Sequence, residues 1–199
     1  MALAGTTQLE SINTMLSMIG EAPVNSITGT LPLDATIAIN VLTETSREVQ
    51  SCGWFFNTEH KVTLAKDTDN KIPLGTNVMR ADIDANRYSR ASLDVVKRGN
   101  WLYDKVDHTY VFDDSLEASI VYYLEFDVLP ENVKRYITIR AGRIFADRVV
   151  GAKDLHGYTA VDEANALAII KQEETDTADY NVFDHPDIGS IVNRQNVVG

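Results

Sequence analysis

The spacing of apolar positions along the chain changes twice, and each change marks an architectural boundary. Leu9, Ile12, Leu16 and Ile19 recur at steps of three and four, with Met15 beside them, which predicts a helix over residues 7–19. Thr7 and Glu10 stand at capping-box spacing, where each side chain satisfies the other residue's free backbone N–H. Gly20 supplies a left-handed stop and Pro23 prevents continuation. A loop through Gly29 and Pro32 leads to a second helix, expected to start at Asp34 as N-cap. Ala38, Val41, Leu42, Thr45, Val49 and Cys52 share one face of it, Arg47, Glu48 and Gln50 sit mostly away, and Gly53 ends it. The two helices can pack as a pair, each burying its stripe.

The period then shortens to two. Residues 54–65 are rich in aromatic and β-branched types, with Val62 and Leu64 alternating against Lys61 and Thr63, and read as a strand. Residues 66–91 are polar and irregular, broken by Asp67, Asp69, Pro73 and Gly75. A hairpin follows, with strands at 93–97 and 101–103 and a turn at Arg98, Gly99 and Asn100. Residues 109–112 and 118–126 predict further strands.

Helical spacing returns at Pro130, which suits the first helical position because its missing N–H would be unpaired there. The third helix runs to about Val150 and stops at Gly151, with Val133, Ile137, Ala141, Ile144, Phe145 and Val149 as its apolar side. A fourth is expected from Thr159, acting as cap, towards Asp179, and residues 181–199 read as an extended tail. The resulting class is α+β, a bundle of about four helices with an inserted, mostly antiparallel β region. Its divisions are an N-terminal helical pair at 1–53, the insertion at 54–128, a C-terminal helical pair at 129–180 and the tail at 181–199.

Composition narrows the function. With 44% hydrophobic and 24% charged residues, the 199-residue chain can bury a sizeable core. Its formal net charge is -11, so gripping nucleic acid by bulk charge is disfavoured, although such a chain can surround DNA without holding it. Acids crowd residues 160–187, where Asp162, Glu163, Glu173, Glu174, Asp176, Asp179, Asp184 and Asp187 stand against Lys171 alone. The third helix instead carries Lys134, Arg135, Arg140, Arg143 and Arg148, which can pair with that acidic stretch or with a neighbouring subunit. Cys52 is the single cysteine, which excludes an intrachain disulfide. No apolar run approaches the roughly 20 residues of a membrane span. The N-terminus lacks the basic region and apolar core of a signal peptide.

Candidate chemistry is sparse. His60, His108, His156 and His185 form no helical ligand pair, so no metal site is expected. No nucleophile elbow and no glycine-rich phosphate cradle follows a predicted strand, and Cys52 is expected on a buried face where a thiol is inert. No cofactor is implied. Asp113, Asp114 and Glu117 cluster after a predicted strand, near Tyr110, Phe112, Tyr122 and Tyr123. Paired carboxylates beside stacking aromatics are the equipment of a glycan hydrolase, although turns favour Asp and strands favour aromatics on their own account.

Five segments carry a family resemblance. The first is the apolar helix from Ile12 ending in Ile19, Gly20 and Glu21, followed by Pro23 and Val24. The second runs from Arg47 through Gln50, Gly53, Trp54 and Phe56 to Asn57. Trp101 to Asp104 is a third, Leu129, Pro130, Arg135, Tyr136, Ala141, Arg143 and Phe145 a fourth, and Tyr180 to Asp184 a fifth. In this order and spacing the chain resembles the tail tubular protein A family of T7-like short-tailed phages. The match fails over residues 66–91. The resemblance implies a structural subunit rather than an enzyme: a head-to-tail adaptor forming a ring of twelve copies beneath the portal protein. It further implies partners in the nozzle, tail tubular protein B, and in tail fibres, with genomic DNA passing through the ring unbound and no membrane. Assembly in the host cytoplasm and residence in the virion tail follow. The signature residues Gly20, Glu21, Pro23, Gly53, Trp54, Asn57, Pro130 and Tyr136 are expected to be structural. Tyr180, Phe183, Asp184 and Arg194 are expected to dock the tail on the portal. A glycan-degrading tail component using acids near Asp113 is the alternative.

Overall fold

A computed structural model describes residues 5–83, 93–151 and 153–177. Among them the order is α1 (Gln8–Met18), α2 (Leu33–Ser51), β1 (Thr58–Leu64), β2 (Val78–Asp82), β3 (Val95–Arg98), β4 (Trp101–Asp104), β5 (Leu116–Tyr122), α3 (Glu131–Val149) and α4 (Lys153–Thr177). This is the expected α+β class.

Local signals set the ends of α1. The reciprocal Thr7–Glu10 capping box is present. At the other end the Glu21 N–H bonds to the Leu16 carbonyl at 3.0 Å and the Gly20 N–H to the Ser17 carbonyl at 3.2 Å, with Gly20 at φ +79°. That pair of bonds is a Schellman stop, which needs a left-handed residue. The start of α2 differs from expectation. Pro32, at φ -55° and ψ 153°, precedes the first helical residue, and Asp34 lies inside the first turn, where its charge suits the helix dipole. Pro130 likewise caps α3 from an extended conformation instead of occupying its first helical position. Thr159 does not cap α4, which begins six residues earlier at Lys153.

α3 is the axis of the helical lobe, and α1, α2 and α4 each pack on it. Ile12, Met15 and Leu16 of α1, Ala38, Val41 and Leu42 of α2, and Ala166 and Ile170 of α4 close over Val133, Ile137, Ala141 and Phe145. Gly142 lets α1 approach: a Cβ there would lie 2.5 Å from the Met18 sulfur. Three positions depart from the helical wheel. Val149, in the last turn of α3, is 38% exposed because the chain leaves the bundle there. Cys52, the C-cap of α2, is exposed for the same reason. Gln50, read as facing away, is fully buried because its amide bonds to backbone across the lobe boundary.

The β lobe has its own core, with Ile72, Leu74, Leu102, Phe112, Leu116 and Ile120 buried in it. Its sheet runs β1-β5-β2, antiparallel throughout, with the β3–β4 hairpin forming a second, two-stranded sheet. The hairpin turn uses Gly99 at φ +62°, as its Arg-Gly-Asn sequence predicts. Other strand expectations change. Residues 54–57 form a turn, so β1 starts at Thr58. Residues 109–112 make only isolated bridges, Thr109 with Asp104 and Val111 with Lys71. β5 stops at Tyr122 instead of running to Phe126, because both backbone groups of Leu124 are taken by the Gln50 side chain. Within the stretch read as irregular, β2 pairs with β5 as an edge strand.

Candidate functional site

The signature residues after α2 converge on the joint between the lobes. Gly53, at φ +78°, turns the chain away from the helix, and a Cβ on it would lie 2.9 Å from Val121 Cγ2. The Trp54 indole N–H donates to the Val49 carbonyl at 2.8 Å, laying the ring back along the helix end. Asn57 is buried, with every polar function used. Its Nδ2 donates to the carbonyls of Gln50 (2.8 Å) and Tyr122 (2.7 Å), and its Oδ1 accepts from the Trp54 N–H at 2.8 Å. Gln50 completes the joint: Oε1 accepts from the Leu124 N–H at 2.8 Å and Nε2 donates to the Leu124 carbonyl at 2.9 Å. Buried amides saturated in this way fix orientation, because any shift strands several polar groups at once.

The other signature residues lie elsewhere. Gly20, Glu21 and Pro23 form the exposed loop after α1. Asn13 clamps this loop through both edges of its amide, accepting from the Val24 N–H at 2.8 Å and donating to the Val24 carbonyl at 2.9 Å. Pro130 starts α3 and Tyr136 is buried on it, where burial pushes the phenol up despite the neighbouring Arg140. Tyr180, Phe183, Asp184 and Arg194 lie outside the described residues, as does the tail from 181 to 199.

Ion pairs bind α4 and α2 to α3. Arg140 reaches Glu163 at 2.7 Å and Glu48 at 2.6 Å, and Arg143 Nε reaches Glu163 at 2.6 Å. Glu163 is only 13% exposed. Burial pushes its carboxyl up, but hydrogen bonds from Arg143 and Arg140 outweigh that and hold it below the usual carboxylate range. Further along, Asn132 donates to Glu173, and the Phe55 N–H donates to Glu174 at 3.0 Å. Arg148 pairs with Glu44 on α2. The pairing of α3 arginines with the acidic helix, open in the sequence, is therefore intrachain for Arg140 and Arg143.

The acids of the hydrolase alternative sit on two different elements. Asp113 and Asp114 are exposed in a bend, and Glu117 lies on β5. Lys66 donates to the Asp113 backbone carbonyl. Of the nearby aromatics, Phe112 is core and Tyr110 stands edge-on to Tyr103 at 4.8 Å. A cavity of about 200 Å³ lies between α1, α2 and the end of β5, lined by residues including Leu42, Arg47, Tyr123 and Phe126. Among the described residues, no group of three His, Cys, Asp or Glu could hold a metal, and no helix is long and apolar enough to cross a membrane.

Sequence reasoning missed Gln50, Asn13 and Glu163 as organising residues. For Gln50 the available signal was a polar residue one turn before a helix-ending glycine.

Comparison with known proteins extends over both lobes. Residues 9–180 match the tail tubular protein family. The chain is also similar to the tail tubular protein A of Klebsiella phage KP34, 32% identical over 167 residues, which span 83% of this chain and 86% of that protein.

Proposed function

The chain belongs to the tail tubular protein family and is a structural component of a phage tail, and from that premise we propose that it is the adaptor ring between portal and nozzle. In this reading twelve copies form a ring in the host cytoplasm, seat beneath the portal protein and receive tail tubular protein B on the opposite face. Tail fibres attach around the junction. The observation that carries the proposal is the extent of the match, which runs through the bundle, the joint and the β lobe. An adaptor holding different partners on two faces needs those faces kept in fixed relation, and the Gln50–Asn57 joint supplies a rigid link.

Genomic DNA passes through such a ring without being held. Twelve copies of a chain at net charge -11 repel phosphate wherever acids face the bore. Tyr180, Phe183, Asp184 and Arg194 dock the tail on the portal.

Electron microscopy of the purified protein mixed with its phage's portal tests the proposal. A twelve-fold ring seated on the portal is the expected result, and loss of seating on deletion of 181–199 assigns the docking to that tail. A chain that stays monomeric and ignores the portal overturns the adaptor reading.

A further inference from the structure

The cavity beside the joint is lined by hydrogen-bond donors that the chain itself leaves unused. Leu42, Ser46 and Phe126 are buried in its wall. Arg47 and Glu125 line it from exposed positions, so it reaches solvent beside them. At about 200 Å³ it is smaller than the roughly 300 Å³ at which drug-sized ligand sites begin, and it suits a single side chain.

Ser46 Oγ accepts from Gln50 Nε2 at 3.0 Å, but its own O–H finds no acceptor among the described residues, although the side chain is only 1% exposed. The Tyr123 hydroxyl, in the same lining, donates to none of them either. Arg47 and Glu125 make no ion pair among the described residues, with each other or with any other group. A buried donor without an acceptor is costly unless a guest supplies one. A guanidinium and two hydroxyls together complement a carboxylate, whose oxygens accept about four hydrogen bonds. Leu42 and Phe126 match the methylene stem behind such a group.

We propose that this cavity receives an acidic side chain, of glutamate length, from a partner protein of the tail. A protein source fits a chain that is itself a structural tail component. The cavity also borders the clamp between the lobes. Gln50, bonded to Ser46, holds both backbone groups of Leu124, and the lining residues Tyr123 and Glu125 flank that position. An acid seated here takes up the Ser46 O–H, which strengthens the same oxygen as acceptor for Gln50. Docking thereby stiffens the joint. Glu125, the acid among the lining residues, repels the guest and lowers its affinity.

Propionate, which reproduces the end of a glutamate side chain, probes the site in the purified protein. Against chloride at equal ionic strength it is expected to raise Tm by about 2–4 °C, the shift that a ligand at about four times its Kd gives a chain of this length. The rise is expected to vanish in Arg47→Gln and to grow in Glu125→Gln, and the uncharged propionamide is expected to give none. No rise in the parent, equal rises in the three proteins, or an equal rise with propionamide overturns the carboxylate site.

Assembled tails test the partner. Arg47→Lys is supplied to phage lacking their own copy, and a water-soluble carbodiimide activates carboxylates in the tails. The amine at position 47 then forms an amide with an acid lying against it, and the carbodiimide leaves as its urea. Mass spectrometry is expected to find position 47 joined to an acidic residue of another polypeptide, whether a second copy or a different tail protein. Joining to Glu125 of the same chain, or no joining in tails that are intact by microscopy, overturns the partner.

Discussion

Asn57 Nδ2 donates at 2.8 Å to the carbonyl of Gln50 and at 2.7 Å to that of Tyr122, so a single side-chain amide ties the last turn of α2 to the end of β5. Removing it leaves the Tyr122 carbonyl and the Trp54 N–H without this partner in a part-buried setting, while the Gln50 carbonyl keeps the Gly53 N–H at 3.2 Å. Each unpaired group costs about 1–3 kcal/mol. Asn57→Ala is therefore expected to lower stability by at least about 2 kcal/mol, read from urea midpoints. A loss below about 0.5 kcal/mol would mean that water replaces the amide and the joint is not a rigid link.

Gly20 and Gly53 separate two penalties. Both have positive φ, but a Cβ on Gly20 meets nothing within 4 Å, whereas one on Gly53 meets Arg80 Nη2 at 2.8 Å and Val121 Cγ2 at 2.9 Å. The arginine tip can swing away; the buried valine on the central strand cannot. Gly20→Ala should cost about 1 kcal/mol of backbone strain, and Gly53→Ala distinctly more. Thermal melts check the order, since each kcal/mol moves Tm by about 2–4 °C at this chain length. Equal shifts would contradict the packing argument.

Glu163 links stability to pH. Its carboxyl is held below the ordinary range in the folded chain by Arg143 and Arg140 against the effect of burial. A depressed carboxylate stabilises the fold above the unfolded value of about 4.3 and loses that contribution as pH falls through the folded value. Glu163→Gln should therefore be less stable than the parent at pH 7, by about 1–3 kcal/mol. The gap should close as the medium is acidified below about pH 4. A gap that persists in acid would show that the glutamine disturbs packing instead of removing a charge.

Cys52 is exposed at the end of α2, with its thiol 3.9 Å from the Glu48 carbonyl. It is expected to react fully with a thiol reagent such as Ellman's under native conditions, and Cys52→Ser should change stability by less than about 0.5 kcal/mol. Reaction only after denaturant is added would contradict this placement.

The helices were the most legible part of the sequence because their signals are local. Thr7, Glu10 and Gly20 set the ends of α1 within a few residues of their own positions. The sheet was less legible. β2 carries Arg80 and Asp82 and buries only Val78 and Ala81, so its alternation is weak, as suits an edge strand protected by charge. Gln50 was misread because polarity was taken for exposure. Its partner Leu124 lies 74 positions away, beyond any periodicity argument. The joint shows the same division: Gly53, Trp54 and Asn57 were legible as a cluster, while the bond from Asn57 to Tyr122 spans 65 positions and only the fold reveals it.

That bond also bears on how the molecule can change over evolutionary time. Thr58 pairs with Val121, and the Tyr122 N–H donates to the Asn57 carbonyl at 2.8 Å, so the chain enters and leaves the β lobe side by side. Seen from the bundle, everything between is one closed excursion whose ends are already held. Lengthening a loop so closed costs only about 0.6 kcal/mol per doubling. Insertions and deletions far from the joint are therefore expected to leave the helical lobe undisturbed, so that the β lobe can change in length while the bundle keeps its own.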